Sequence, residues 1–422
     1  MEFKEVKLGE ISNINMGQSP RSEFYSEFEG TPFLQGNRTF QHIYPLIDTY
    51  TNKITKLANK NDILFSVRAP VGDMNIAPVD LCIGRGLCAI NSTNSNQEFL
   101  FYLLKSKLNE LESHSTGTIF SSVNKKTLEN FIVKVPSDSH QKNIGRLLSN
   151  LDKKIEINQN IIANLEELSQ TLFKRWFVDF EFPDENGNPY KSSGGEMIDS
   201  ELGEIPDGWN VKNLKDIAFC QNGYAFYKLG YSNSGYFAVD LGNININSQF
   251  VYTNKDKFIS KDIIDEKKEK FILNKNDLVM VMTDRTQEMN ILGRTARIPK
   301  SNKYVLNQRI FRLRAKNKHI LTYLQAMLNS VEIRNQLKMK SLGSAQKYIN
   351  TKHITELSIK CPDNELIKNF YRSCENYFIK SEMLNEEIEK LTQLRDTLLP
   401  KLMSGEIEIP DDIEVNEDEL SI

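Results

Sequence analysis

A chain of 422 residues, 39% apolar and 26% charged with a net charge of −3, is too long for one ordinary hydrophobic core. It carries no apolar run near the roughly 18 residues a membrane span needs, so two or three domains are expected, two being the leading count, and no membrane segment. The start, Met1-Glu2-Phe3-Lys4-Glu5-Val6, lacks the basic and apolar regions of a secretion signal, which makes the cytoplasm the expected location.

From the N-terminus, residues 1–138 read as short β segments separated by Gly, Asn and Pro turns. Among them are the apolar run Ile63-Leu64-Phe65, a helix-like stretch from Phe99 to Leu111, and a final strand closed by Pro136. A helix is expected over 139–182, interrupted only by Gly145, with Ile144, Leu151, Leu165 and Leu172 on a heptad and Asn158 at its remaining position. Ile155, Ile161, Ile162 and Leu168 widen that seam, and Trp176, Phe177 and Phe180 form an aromatic cluster suited to core packing. Residues 183–205 read as a polar linker. A second module spans 206–364, with its own helix-like stretch from Ile320 to Leu337. A second long helix, 365–404, carries Phe370, Tyr377, Leu384, Leu391 and Leu398 in the same register, with Ile388 and Leu394 beside them. It stops at Pro400 and Gly405, before an acidic tail over 405–422.

The second module repeats the first. Leu8, Ile11, Gly17, Gly36 and Asn37 match Leu214, Ile217, Gly223, Gly242 and Asn243 at a shift of 206. Asn59-Lys60-Asn61-Asp62 recurs as Asn274-Lys275-Asn276-Asp277, and residues 115–136 align without gaps with 341–362. Three blocks in one order point to duplication. The expected fold is therefore mixed α/β (α+β): two repeated modules, each followed by a long helix, the helices packing antiparallel as a coiled coil about an approximate two-fold axis. A helix of about 40 residues extends roughly 60 Å, enough to act as a ruler between modules. Charge is divided unevenly: 0 over residues 1–136, −6 over 137–205, +13 over 206–362 and −10 over 363–422. A basic module on an acidic scaffold suits contact with phosphate.

No Gly-x4-Gly-Lys-Ser/Thr loop, His-Glu-x-x-His pair or Asn/Asp-Pro-Pro-aromatic tetrapeptide is present, and five cysteines (Cys82, Cys88, Cys220, Cys361, Cys374) lack zinc or disulfide spacing. The histidines, His42, His114, His140, His319 and His353, are dispersed. No catalytic residue, metal ligand or cofactor is therefore expected. A binding protein is the favoured reading. A self-contained nucleic-acid-modifying enzyme with a dispersed site and a coiled-coil scaffold that does not touch DNA stay open.

LFKRWFVDF at 172–180, the Leu202-Gly203-Glu204-Ile205-Pro206-Asp207-Gly208-Trp209 stretch that opens the second copy, and RDTLLPKLMSGEI at 395–407 carry a resemblance. SVRAPVGDMNIA at 66–77 and IGRGL at 83–87 extend it. The chain resembles the specificity subunit of a type I restriction-modification system. The resemblance implies that each module is a target-recognition domain reading one half of a bipartite site in double-stranded DNA. It implies helices that set the spacing and dock two modification (methyltransferase) subunits. Those subunits would carry S-adenosylmethionine and methylate adenine at N6, and restriction subunits would add ATP- and Mg-dependent cleavage. This chain itself would be non-catalytic.

Arg or Lys on guanine and Asn or Gln on adenine are the favoured major-groove pairs, whereas lysines and hydroxyls mostly position the DNA backbone. The first module offers Gln35, Asn37 and Arg38 in LQGNRTF, Arg68 in SVRAP, and the turn Ser121, Ser122, Asn124, Lys125 and Lys126. The second offers Asn243, Arg285, Arg294, Gln346, Lys347, Tyr348 and Lys352. Two modules reading different half-sites should share fold residues and differ in readers. The twins Asn37/Asn243, Asn124/Asn350 and Lys126/Lys352 accordingly suit turn structure or backbone contacts, and Arg38 and Arg68 rank above Asn37 as base readers. Gln346 aligns with Phe120, so a base contact there has no counterpart in the first copy.

Overall fold

The computed structural model describes residues 2–113, 122–253, 255–344 and 346–409. The chain divides into two compact units, Met1–Gln159 with Glu386–Ile422, and Asn160–Asn385. Two long helices, Asp138–Phe173 and Asn364–Ser404, each contribute one part to each unit. Among the described residues no helix is long and apolar enough to cross a membrane.

In the first unit a four-stranded antiparallel sheet has the order Ser12–Met16, Leu87–Ser92, Ile63–Ser66, Met74–Ile76. A five-stranded sheet runs Tyr25–Ser26, Tyr50–Thr51, Thr31–Leu34, Leu81–Ile83, Leu57–Ala58, with the Thr31–Leu34 and Leu81–Ile83 strands parallel. Ile63 and Phe65 pack into a core with the helix Gln97–Ser106, while Leu64 packs with Leu34, Leu81 and Leu87. Burial on both faces explains why this strand reads as an unbroken apolar run instead of an alternation. The strand Ile132–Val135 returns to pair antiparallel with Lys4–Lys7 and closes the module.

The second unit repeats this plan. Its four-stranded sheet has the order Ala218–Asn222, Ile310–Ala315, Leu278–Val281, Thr295–Arg297, and its parallel pair is Tyr236–Val239 with Tyr304–Leu306. Ser358–Cys361 closes on Asn210–Asn213. The repeated Asn-Lys-Asn-Asp tetrapeptide has a geometric cause. Asn61 and Asn276 adopt φ of 72° and 71°, and the Asp62 and Asp277 carboxylates each accept the N–H of the leading asparagine at 2.8 Å. Asparagine tolerates the left-handed conformation and aspartate closes the turn, so both copies keep both residues. Each expected helix after the sheet is two helices: Gln97–Ser106 with Leu108–Ser113, and Lys318–Asn329 with Val331–Met339. The 183–205 segment is partly packed, with Tyr190 stacked on Phe182 at 4.6 Å.

Both long helices form, and within each unit they run antiparallel. Asp152 lies opposite Arg395 and Asn158 opposite Glu387 in the first unit; Phe173 meets Phe370 and Ser169 meets Cys374 in the second. Pro400, expected as a stop, lies inside the second helix, which continues to Ser404 because a proline in the last turn forfeits little of the hydrogen-bond ladder. The seam keeps Ile144 and Asn158 of the expected heptad, with Ile155 and Ile162 beside them, but not its leucines. Its buried positions on the first helix are Ile144, Leu148, Asp152, Ile155, Asn158, Ile162, Ser169 and Phe173. Leu151, Leu165 and Leu172 flank it half-buried, and Leu168 and Leu394, expected within it, are 53% and 47% exposed. The polar members are placed by partners across the seam. The aromatic residues Trp176, Phe177 and Phe180 lie in the core with Phe173, Trp209, Tyr323 and Phe370, where the helix widens into a π-helical turn over Lys174–Val178.

Asp152 is the hub of the first unit. The Arg395 guanidinium donates to Asp152 Oδ1, Tyr102 Oη donates to Oδ2 at 2.7 Å, and His42 Nε2 lies 3.4 Å from Oδ1. Burial pushes this carboxyl up, but the His42 hydrogen bond and the charges of Arg395 and Lys105 outweigh it and hold it well below the usual carboxylate range. Arg395→Ala leaves the buried carboxylate without its counter-ion and should destabilise the unit by about 3–5 kcal/mol in urea denaturation of the full chain. A depressed folded pKa means that the Asp152 contribution is present at neutral pH and is lost only as pH falls through that low value. In Arg395→Ala burial is less offset, and acid unfolding should begin at a higher pH than in the parent.

Candidate nucleic-acid interface

In the first unit a row of single backbone hydrogen bonds joins four segments distant in sequence. Gly84 N donates to Leu34 O at 2.8 Å and Gly86 N to Gln35 O at 3.2 Å; Val67 N donates to Gly86 O at 3.0 Å, and Val123 N to Val67 O at 3.0 Å. Arg68 and Ser122 face one another as an antiparallel bridge at the end of this row. The turn after Leu34, the loop 84–86, the segment 67–68 and the segment 122–124 are thus neighbours. Gln35, Arg68, Arg85, Ser122 and Asn124 along them are all exposed. The row depends on Gly17, whose N–H donates to Leu87 O at 2.9 Å; a Cβ there would stand 2.2 Å from Gly84 O.

The second unit repeats the outer half of this row. Met282 N donates to Arg309 O at 2.9 Å and Ile349 N to Met282 O at 2.9 Å, the counterparts of Val67 with Gly86 and Val123 with Val67. Thr283 pairs with Tyr348 and Asp284 with Lys347, where the first unit has the Arg68–Ser122 bridge. Gly223 takes the place of Gly17: its N–H donates to Ile310 O, and a Cβ would lie 1.8 Å from Asn307 O.

The residues singled out from the sequence fall into different environments. Gln35 accepts from Tyr25 Oη at 3.1 Å and stays exposed. Arg38 is exposed but held by Asp48, with contacts of 2.9 and 2.7 Å, and the Arg38 hydrogen bond lowers the Asp48 carboxyl below its ordinary value. Arg68 and Ser122 belong to the row, and Ser121 lies outside the described residues. Asn124 caps the helix Lys125–Glu129, its Oδ1 accepting from Thr127 N at 3.0 Å, and Asn350 does the same for Thr351–Thr355, which accounts for the recurrence of this asparagine. Lys125 and Lys352 are exposed and pair with Glu129 and Glu356 one turn on, at 3.5 and 3.8 Å; Lys126 is exposed. Arg285 and Tyr348 are exposed, whereas Lys347 and Gln346 are half-buried.

Two choices are corrected. Asn243 is buried: its Nδ2 donates to Val251 O and Asp256 Oδ1, and its Oδ1 accepts from Asp240 N, so no hydrogen-bonding face is left for a base. Arg294 is half-buried and occupied by Asn290 O and Ser248 Oγ, with its pKa lowered by burial and raised in part by Glu166. Glu166 is half-buried; burial raises its pKa against the hydrogen bond from Gln170 and the charges of Arg294 and Arg297. Around Arg294 the cations are crowded. Arg334, which donates to Asn290 O at 2.9 Å, has its pKa pushed down to about 10 by burial and by the Arg294 charge, and Lys338 is lowered by burial and by both arginines. The nearby Asp284 carboxylate is spent on the N–H groups of Thr286 and Ile291. The sequence reading did not single out Arg85, at the centre of the first row, as a DNA contact; its signal was its place in IGRGL at 83–87.

A family model described as the type I restriction modification DNA specificity domain matches residues 1–167 and 206–393, taking in both rows. The chain belongs to this family. Over 187 residues it is 40% identical to a putative type I restriction enzyme MjaX specificity subunit of Methanocaldococcus jannaschii, a stretch that is 40% of this chain and 44% of that relative. It is 26% identical over 447 residues to the type I restriction enzyme MjaIX specificity subunit of the same organism, with 97% of each chain covered. The crystal structure of the type I restriction-modification system S subunit from M. genitalium shares the fold, at a TM-score of 0.59 and 15% identity over 95% of this chain and 96% of that one. As a specificity subunit the chain serves DNA recognition within a complex, in a family that is non-catalytic. Among the described residues no group of three or more His, Cys, Asp and Glu is placed to hold a metal ion.

The Asn243 geometry yields a separation of fold from recognition. Asn243→Ala strands the Asp240 N–H and the Val251 carbonyl, and should cost about 1–3 kcal/mol in denaturant titration while leaving the recognised sequence unchanged when sites are mapped.

Proposed function

We propose that each module of this specificity subunit reads one half of a bipartite, asymmetric site in double-stranded DNA. The long helices set the half-site spacing and dock two modification subunits. The observation that carries the reading is the hydrogen-bond row formed independently in each module. Its frame is shared, through Gly17/Gly223, Asn61/Asn276 and Asn124/Asn350. Its presented side chains differ, Arg68 against Thr283 and Ser122 against Tyr348. Direct readout requires that combination: one scaffold carrying different donors and acceptors to different base edges. Arg334 and Lys338, crowded beside Arg294, suit phosphate, whose charge relieves their repulsion.

In this reading the chemistry belongs to partners in the cytoplasm. S-adenosylmethionine sits on the modification subunits, which methylate adenine at N6, and ATP with Mg²⁺ serves restriction subunits that complete an endonuclease. This chain binds none of these cofactors.

The test uses the complex of this chain with its methyltransferase partners and measures affinity on duplexes carrying base changes in either half-site. Arg68→Ala should weaken one half-site only, by about 1–3 kcal/mol for a lost base contact. Equal loss at both half-sites, or none, would overturn the half-site assignment. Incubating the chain alone with DNA, S-adenosylmethionine and Mg²⁺ should give neither methylation nor cleavage; either product would sink the division of labour.

A further inference from the structure

We propose that the loop at the centre of each row is the base-reading tip, Arg85 taking a guanine edge in one half-site and Gln308 an adenine edge in the other. The inference rests on the DNA-reading role assigned above and names the residues that perform it.

Arg85 has a fixed backbone and a free head. Gly84 and Gly86 pack so closely on the turn after Leu34 that a Cβ at either would lie 2.8 Å from Gln35 backbone atoms, and Arg85 N donates to Ser19 Oγ at 3.1 Å. The loop therefore presents one side chain, and that side chain is exposed. Among the described residues Arg85 has no carboxylate partner, in contrast to Arg38, which would have to leave Asp48 before reaching a base. A guanidinium held on a rigid backbone with an unspent fork of donors is what bidentate recognition of guanine O6 and N7 requires.

The second module carries the corresponding loop at 307–309. Tyr224 N donates to Leu306 O as Gln18 N does to Ile83 O, and Arg309 O accepts from Met282 N as Gly86 O does from Val67 N. That register places Gln308 where the first module has Arg85, and Gln308 is exposed. Glutamine pairs bidentately with adenine N6 and N7. One framework position thus holds the guanine-reading residue type in one copy and an adenine-reading type in the other, in loops that share the flanking bonds donated by Gln18 and Tyr224 and by Val67 and Met282. Gly17/Gly223 and the capping Asn124/Asn350 are shared between copies, whereas this loop differs, Gly84-Arg85-Gly86 in one and Asn307-Gln308-Arg309 in the other.

The experiment takes the complex with its methyltransferase partners and defines both half-sites of the parent by selection from a randomised duplex pool. Selection is then repeated with Arg85→Ala and Gln308→Ala, alongside thermal unfolding to confirm that these exposed truncations fold. Arg85→Ala should erase the preference for one G·C pair in one half-site, on the order of 10- to 100-fold, with the other half-site untouched. Gln308→Ala should do the same for one A·T pair in the other half-site. Uniform weakening on all sequences with a shallower salt dependence would make these phosphate contacts and overturn the proposal, as would unchanged selection. A parent complex that selects no sequence would overturn the DNA-reading role itself, a result distinct from either.

Discussion

Gly17 and Gly223 leave no space for a side chain, because the carbonyls of Gly84 and Asn307 pass within 2.2 and 1.8 Å of where a Cβ would stand. That approach brings the loop before the last strand of each sheet down onto the first strand, where one N–H from each glycine locks it. Everything exposed at the site follows from it. With the loop seated, its outer carbonyl accepts from Val67 or Met282, and the carbonyl of that residue accepts from Val123 or Ile349, so four chain segments reach one surface through backbone bonds alone. Backbone bonds are indifferent to side chains. The tips can diverge in sequence while the row that carries them stays the same, which is how one fold presents different chemistry to different base edges.

The paired helices rely on a related division between frame and content. A seam of leucines tolerates a slip of one heptad at modest cost, since one apolar layer replaces another. Asp152 opposite Arg395 does not: a slip leaves both charges buried without a partner, at several kcal/mol. Asn158 donating to Glu387 adds a second register mark within the same unit. In the other unit Arg297 bridges Glu375 of the second long helix and Gln325 of the module helix, and stacks on Phe378 at 4.7 Å. Each module is thereby held to its helix by a charged, hydrogen-bonded clamp as well as by apolar contact, with the rigidity that a spacing function demands.

Much of this was legible in the sequence where identity between the copies reported geometry. The Asn-Lys-Asn-Asp turn, the paired glycine and the capping asparagine recur because the backbone admits few substitutes. The helices were legible from their period, and Asn158 from its place on the heptad, but Asp152 and Ser169 were not: they are buried by partners on a helix more than 200 residues away, and hydropathy assigns them outward. Asn243 was misassigned for a similar reason. Asparagine after glycine suits a turn or a base equally well, and only Asp240, Val251 and Asp256 converging on it decide between them. Arg38 was ranked, with Arg68, above Asn37 without regard to Asp48, ten residues on. Arg85 was overlooked because its neighbours in the row, Gln35 and Val67, are near it only in space.

The net charge of +13 over the second module is local in its consequences. Several of its cations are already answered: Arg314 by Asp277, Arg297 by Glu375, Lys275 by Glu382. Arg334 and Lys338 adjoin Arg294, and there the depressed pKa values register positive groups that burial and each other's fields disfavour. A phosphate oxygen brought to such a group restores what desolvation removed and releases counter-ions from the DNA, so the contact strengthens as salt is lowered. In the first module the exposed cations Arg38 and Lys125 are each answered by an acid of the same module, Arg68, Arg85 and Lys126 are not among the described residues, and the net charge over residues 1–136 is 0. On the proposed half-site reading, the two modules, built on one frame, would hold DNA by different balances of base and phosphate contact, and affinity for the half-site of the second should respond more steeply to ionic strength in a salt titration.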